Sequence, residues 1–180
     1  MKYTAIKNQG LTLVEMLVVM VVLAILVSLV VGVSGYVTAR ANREATQLTQ
    51  SVLIMAVEKY RDIKGDPPNI TEDIEASHDK RSHLLYLMLT GDETQEPDEN
   101  VRKEIAKKVG DILRQLPADA IAVIKIEDED KHVITDGWGR PMDYHKDKGI
   151  GGVPVFISPG PDGNIDTKAD NVRSDGRANK

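Results

Sequence analysis

Polarity changes abruptly along this 180-residue chain. Met16 to Val37 is a run of 22 residues without a charge, built mostly of Val, Leu, Ile and Met. As an α-helix it would be about 33 Å long, enough to cross a hydrocarbon core of roughly 30 Å. A soluble helix of that length would show a polar face, and this run has none. Past it, Ala41, Ala45, Leu48, Val52 and Met55 recur at helical spacing, and Leu53, Val57 and Tyr60 add a second edge. The spacing predicts an amphipathic helix whose apolar stripe packs on a globular body. It should stop near Ile63, because Gly65 and Pro67-Pro68 follow. Leu11 to Ile63 would then be one helix, about 80 Å long if unbroken, half anchor and half domain core. Gly32 and Gly35 interrupt the run. They read either as small residues for close helix packing or as a soft point where the helix can unwind.

The remainder of the chain predicts shorter elements. Residues 66–119 read as a helical insert. Ser82 to Leu89 is densely apolar and ends at Gly91, and Asp92 to Asn100 is an acidic loop. Val101, Ile105, Val109, Ile112, Leu113 and Leu116 then repeat at helical spacing until Pro117. Core packing is a sufficient explanation for both helices. Ala120 to Glu127 reads as a strand, Glu127 to Asp130 as an acidic turn and Lys131 to Thr135 as its return. Met142 to Tyr144 and Val153 to Ser158 are two further short strands. The expected class is α+β: a long N-terminal helix packed on a small antiparallel sheet, with extra helices. In segments, 11–37 is the membrane half of the long helix and 38–65 its amphipathic half. Residues 66–119 form the insert, 120–180 the sheet and a C-terminal Asp/Gly loop, and 38–180 make one globular domain.

Charge sharpens this division. Residues 1–37 hold only Lys2, Lys7 and Glu15, while the other 48 charged side chains lie beyond them. This pattern excludes both a plain cytosolic globule and a multi-span membrane protein. A net charge of −5 with no basic stripe argues against a nucleic-acid partner. The absence of cysteine excludes disulfides, thiolate zinc sites and a Cys nucleophile. A cleaved secretory signal would offer Ala39-Arg40-Ala41 as its site, but its apolar core is ordinarily about 7–15 residues, so a retained anchor fits better. Lys2, Lys7 and the starting amine make the leading side slightly the more positive, favouring a cytoplasmic N-terminus and an external polar body.

One local pattern stands out. Lys7-Asn8-Gln9-Gly10-Leu11-Thr12-Leu13-Val14-Glu15, followed by the apolar run, resembles the class III signal of type IV pilins and type II secretion pseudopilins. That family has a short basic leader ending in Gly, then an apolar residue, Thr, two aliphatics and Glu. Leu11 stands where Phe is commonest. The resemblance implies cleavage between Gly10 and Leu11 by prepilin peptidase, removing the leader 1–10, and N-methylation of Leu11. Loss of Lys2 and Lys7 would take the side-chain charge from −5 to −7. The new amine would lie four residues before Glu15. In a stack of staggered helices it would meet Glu15 of a neighbour, because desolvated opposite charges attract strongly and an unpaired Glu is penalised. Without such a partner, Glu15 simply marks the membrane interface.

Two C-terminal segments extend the resemblance toward the major pseudopilin. Asp136-Gly137-Trp138-Gly139-Arg140-Pro141, with Tyr144, is similar to its D-P-W-G-N-P-Y-x-Y stretch. Ser158-Pro159-Gly160-Pro161-Asp162-Gly163, with Asp170-Asn171-Val172, is similar to its S-x-G-A-D-G loop and D-D-I ending. By spacing alone Asp162, Asn164, Asp166 and Asp170 read as a solvated acidic turn, although oxygen side chains on a tight loop can also converge on Ca²⁺. The pattern is not an EF-hand, with Thr167 and Arg173 where Gly and Glu would stand. The resemblance implies calcium held by Asp166 and Asp170, and by Asp162. Asn171 replaces a usual Asp, removing one ligand charge.

No catalytic set appears. His78, His83, His132 and His145 lack metal-site spacing and read as surface, and Ser158 lacks a G-x-S-x-G elbow. The resemblance implies a non-enzymatic pseudopilin that is anchored by one span in the inner membrane, with its globular domain in the periplasm. It would polymerise with itself and other pseudopilins on an inner-membrane platform to drive type II secretion. The alternative is a type IV pilin for adhesion, motility or DNA uptake, and the third an anchored enzyme or binding module.

Overall fold

The structure, a computed structural model, describes residues 12–70, 77–92 and 95–177, with the side chains of 30–33 left out of the description. The chain forms two compact units, Met1–Ala39 and Arg40–Lys180.

Helix α1 (Leu13–Lys64) supplies the described part of the first unit and enters the second. In the first unit its large apolar side chains, from Leu13 to Leu29, are exposed on every face. Among the described residues it is the helix long and apolar enough to cross a membrane, with a mean hydropathy of 3.2 in its most apolar stretch. A helix apolar all round is stable only where lipid or protein covers it. The helix continues through Gly35, around which there is open space. Gly32 lies outside the described side chains.

In the second unit α1 is followed by α2 (His78–Thr90), α3 (Glu99–Leu113) and strands β1 (Ile121–Ile126), β2 (Glu129–Ile134), β3 (Asp143–His145), β4 (Val155–Ser158) and β5 (Val172–Arg173). The ends follow local chemistry. Gly65 reverses the chain after α1 at φ +89°. Gly91 closes α2 in the left-handed conformation, with Asp92 N–H donating to the Leu87 carbonyl at 3.0 Å. Asp98 caps α3 by accepting from the Asn100 and Val101 amides. Glu127 and Asp128, both at positive φ, make the two-residue turn between β1 and β2. Lys64 at the end of α1 pairs with buried Glu96, tying the acidic loop before α3 to that helix.

The expected single sheet is two. β1 and β2 form an antiparallel hairpin, and β3, β4 and β5 form a second antiparallel sheet in the order β3-β4-β5. Only a Thr135–Pro141 bridge lies between them. The bridge is carried by the Met142 amide donating to the Ile134 carbonyl at 3.0 Å and the Asp136 amide donating to the Arg140 carbonyl at 2.8 Å. Strand β5 is two residues long, too short for alternation to reveal.

One core joins the elements of this unit. Leu53, Ala56, Val57 and Tyr60 of α1 meet Leu85 and Leu89 of α2, Ile105 and Val109 of α3, and Ile134, Met142, Tyr144 and Phe156 from the sheet side. The insert is therefore part of the core. The buried face of α1 differs from the expected stripe. Leu48 and Met55 are 55% and 45% exposed, whereas Thr46, Thr49 and Gln50 are buried. Thr46 Oγ1 and the Gln50 amide nitrogen find partners across the unit, as described next.

Candidate functional site

At the start of α1, Thr12 and Glu15 cap the helix reciprocally. Glu15 N–H donates to Thr12 Oγ1 at 3.3 Å, and Glu15 Oε2 accepts from Thr12 N–H at 2.8 Å and from its hydroxyl at 2.9 Å. This is a capping box, which satisfies two helix-end donors at once. The sequence had offered Glu15 as an assembly residue or a marker of the membrane interface, although the spacing Thr-x-x-Glu also signals a cap. All of these bonds use Oε2 or the Glu15 backbone amide. Gly10 and Leu11, the residues of the expected cleavage, lie outside the described residues.

The Asp136–Pro141 segment clamps onto α1 within the globular unit. Gly137 N–H donates to Thr46 Oγ1 at 2.9 Å. With its amide oriented so that both atoms are paired, Asn42 donates to the Gly137 carbonyl at 3.2 Å and accepts from Trp138 Nε1 at 3.3 Å. Gly137 lies so close that a Cβ there would stand 2.2 Å from the Asn42 carbonyl oxygen. Buried Asp136 organises the turn. Its Oδ1 accepts from the Trp138 and Arg140 amides at 2.9 and 3.0 Å, and its Oδ2 from the Ser158 hydroxyl at 2.6 Å. One turn along α1, Gln50 donates to the Val172 carbonyl at 2.8 Å. Thr46, Gln50 and Asp136 thus bind the helix, the tryptophan turn and β5 together, and none of the three was singled out by periodicity.

The Asp/Gly loop follows. Asp162 Oδ1 accepts from Asn164 N–H at 2.8 Å, Asn164 Oδ1 from Asp166 N–H at 3.0 Å, and Asp170 Oδ2 from Asp162 N–H at 3.3 Å. These side chains cap the loop's own amides. Asp162 and Asp166 line an open cleft of about 450 Å³ together with His78, Asp79 and Arg140. The Arg140 guanidinium donates to the Gly160 carbonyl at 2.5 Å, so the loop already carries a cation of its own. Asp170 Oδ1 is buried without a hydrogen-bond partner. That oxygen fits a hard cation, but Asp162, Asp166 and Asp170 do not form a cluster: among the described residues no three His, Cys, Asp or Glu are placed to hold a metal ion.

A third polar cluster joins α2 to β3. Buried Asp143 accepts from Arg81 Nε and Nη2, each at 2.8 Å, and from the Tyr144 amide at 3.0 Å, while His145 Nε2 lies 3.0 Å away. Burial alone would raise the Asp143 pKa. Hydrogen bonds from His145 and Arg81, with their charges, reverse this and hold it at about 2. His145 is thus an internal partner, not the surface residue expected.

Residues 6–31 match the prokaryotic N-terminal methylation motif, which is typical of type IV pilin and pseudopilin-like proteins. No curated protein and no solved structure matches the chain. With the motif, an apolar helix long enough to span a bilayer, and a unit in which helix α1 packs on small antiparallel sheets, the chain has the general architecture of pilin-like membrane proteins.

Proposed function

We propose that the chain is a pseudopilin: an inner-membrane subunit, N-terminus in the cytoplasm and globular domain in the periplasm, that polymerises into a fibre driving export by a type II secretion system. The observation that carries the reading is the methylation motif over residues 6–31, running directly into the apolar helix. Prepilin peptidase would cut between Gly10 and Leu11, and methylated Leu11 would begin the mature chain. Other pseudopilins and an inner-membrane platform are its partners in assembly. A type IV pilin is the second reading. The tryptophan turn and the Asp/Gly loop in a cysteine-free chain favour the pseudopilin.

Glu15 has two roles to separate. A capping box needs an oxygen acceptor at this position, which Gln supplies. A register-setting pair with the Leu11 amine of a neighbour needs the negative charge. Glu15→Ala should lose both roles, and Glu15→Gln the pair alone. Both variants should insert and be processed, yet neither should form fibres in cells overproducing the secretion machine. Fibres from Glu15→Gln at the level of the natural chain would remove the charge pair from the account.

We extend the proposal to calcium in the C-terminal loop. Asp170, with its unpaired buried oxygen, would be the principal side-chain ligand, and Asp162 would have to release the Asn164 amide, and Asp166 to turn inward, to join it. Bound calcium would supply only cross-linking of the loop. With few converging charges, affinity should fall in the weak extracellular range, about 10⁻⁴–10⁻³ M. A thermal melt in millimolar Ca²⁺ against EGTA at equal ionic strength should show a higher melting temperature with the ion. Coincident melts would show the loop to be held without it.

A further inference from the structure

Strand β1 has one edge without a partner strand. The Ile126–Glu129 pair closes the two-residue turn of the hairpin, so it exchanges backbone hydrogen bonds, as do Ile124–Lys131 and Ala122–Val133. The bond from the Thr135 amide to the Ala120 carbonyl, 2.8 Å long, keeps the same phase. Ile121, Val123 and Lys125 therefore point their N–H and C=O groups away from β2. The outer edge of β2 is covered by α2. Ser82 Oγ accepts from the Ile134 amide at 2.9 Å and donates to the Ile134 carbonyl at 3.0 Å, and the His132 carbonyl accepts from His83 Nδ1 at 2.8 Å. No such cover lies over β1: among the described helices and strands it packs broadly on β2 alone.

An open edge of this kind is a template for another strand, and folded proteins ordinarily cover, shorten or charge it. β1 is six residues long, reads Ile-Ala-Val-Ile-Lys-Ile, and leaves Val123 56% exposed. Its sequence complements an antiparallel copy of itself. With Ala122 opposite Ala122 of a second copy, Ile121 faces Val123 and Lys125 faces Asp119, and the two-fold axis repeats each pair. Asp119, Val123 and Lys125 are all exposed. Sliding one strand by two residues one way sets Asp119 against Glu127, a like charge. Sliding it the other way sets Lys125 against Pro117, which has no N–H to give. Ala122 lies on the axis at a non-hydrogen-bonded pair, where Cα atoms approach to about 4.5 Å and a small side chain fits.

We propose that the free edge of β1 is an interaction surface for a second copy of this chain, which adds its own β1 antiparallel, centred on Ala122, and joins two hairpins into one four-stranded sheet. The occupant is another copy because the charged and the apolar positions of the edge complement each other in this alignment. The contact belongs to the globular unit and does not depend on the secretion reading. Six residues a side fall short of the roughly 20–30 of a stable interface, so the pairing is weak and reversible.

A chain without cysteine allows a clean test by cross-linking. The full chain in detergent, at high protein concentration, carries one introduced cysteine, is oxidised with copper phenanthroline, and disulfide dimers are measured on a non-reducing gel. Ala122→Cys should dimerise several-fold faster than Lys108→Cys on the exposed face of α3, because a non-hydrogen-bonded antiparallel pair holds its Cα atoms within disulfide reach. In the Ala122→Cys background, Lys125→Asp and Asp119→Lys should each slow dimerisation several-fold, since two opposite-charge pairs per dimer become like-charge pairs, and the double reversal should restore it. Val123→Pro should suppress dimers with little change in melting temperature, because the N–H it removes is one that β2 does not use. Should that variant unfold, the charge reversals decide. Equal rates at positions 122 and 108 reflect random collision and overturn the proposal; they are the result expected if the edge takes a strand of a different protein. Faster dimers from Val123→Cys than from Ala122→Cys overturn the alignment. Single reversals without effect, or a double reversal without rescue, overturn the charge pairing, and undiminished dimers from folded Val123→Pro overturn strand addition.

Discussion

Arg81→Ala should destabilise the globular unit by about 3 kcal/mol at pH 7, the lower end of what is lost when one partner of a buried ion pair is deleted. Asp143 keeps only 4% of its side-chain surface exposed and Arg81 18%. The guanidinium supplies two hydrogen bonds of 2.8 Å. Its loss leaves the buried carboxylate with the Tyr144 amide and His145, which is why the lower end applies. Exposed pairs such as Arg40–Glu44, by contrast, contribute about 0–1 kcal/mol. The deficit should also depend on pH. Folding depresses the Asp143 pKa from its ordinary 3.8 to about 2. A depressed carboxylate contributes its stabilisation in full above its unfolded pKa and loses it as pH falls through its folded pKa. That share, shared between Arg81 and His145, is roughly 2 kcal/mol, present above pH 3.8 and drained toward pH 2. Asp175, held at about 2 by its hydrogen bond from Arg173, titrates in the same window, so the comparison must be between variants. Urea unfolding of the full chain in detergent, followed by Trp138 fluorescence from pH 7 to pH 2.5, measures both effects. The gap between natural chain and Arg81→Ala should be widest at neutral pH and narrow below pH 4. A gap under about 0.5 kcal/mol at pH 7, the size of a surface substitution, would refute the reasoning, as would a gap that does not change with pH.

Two further substitutions test the packing. Gly137→Ala should cost at least about 1–3 kcal/mol, since its Cβ would fall 2.2 Å from the Asn42 carbonyl and force the turn off α1; a melting temperature equal to that of the natural chain would deny the close approach. Tyr144→Phe should be neutral or stabilising by up to about 1 kcal/mol, because the phenol oxygen is buried without a partner and its burial penalty is relieved; a loss above about 1 kcal/mol in urea unfolding would show that the hydroxyl is satisfied.

The anchor was legible because 22 uncharged residues leave few soluble structures open. The ends of α1 and α2 were legible because Gly65 and Gly91 act locally, and α3 from its apolar spacing, while its cap Asp98 went unread within the acidic loop. The buried face of the amphipathic half was not. Periodicity counts apolar character, and here Thr46 and Gln50 are buried by hydrogen bonds to the tryptophan turn and β5, while Leu48 and Met55 face outward. Such bonds depend on residues about 90 to 120 positions away, which no window along the chain contains. Asp143 and Arg81 were hidden for the same reason, being 62 residues apart. The split into two sheets was hidden because strand pairing depends on register between segments, which the apolar pattern of each strand does not carry. The carboxylates of the C-terminal loop were readable as residues. Their engagement with loop amides, and the guanidinium of Arg140 among them, came only with the fold.

The account stands on a chain that is trimmed at its amino end and then held by the helix that follows. Mass spectrometry of the N-terminus of protein purified from membranes tests this most directly. The expected mature chain begins at Leu11 with a methylated amine; an intact Met1, or a terminus near Ala41, would contradict it.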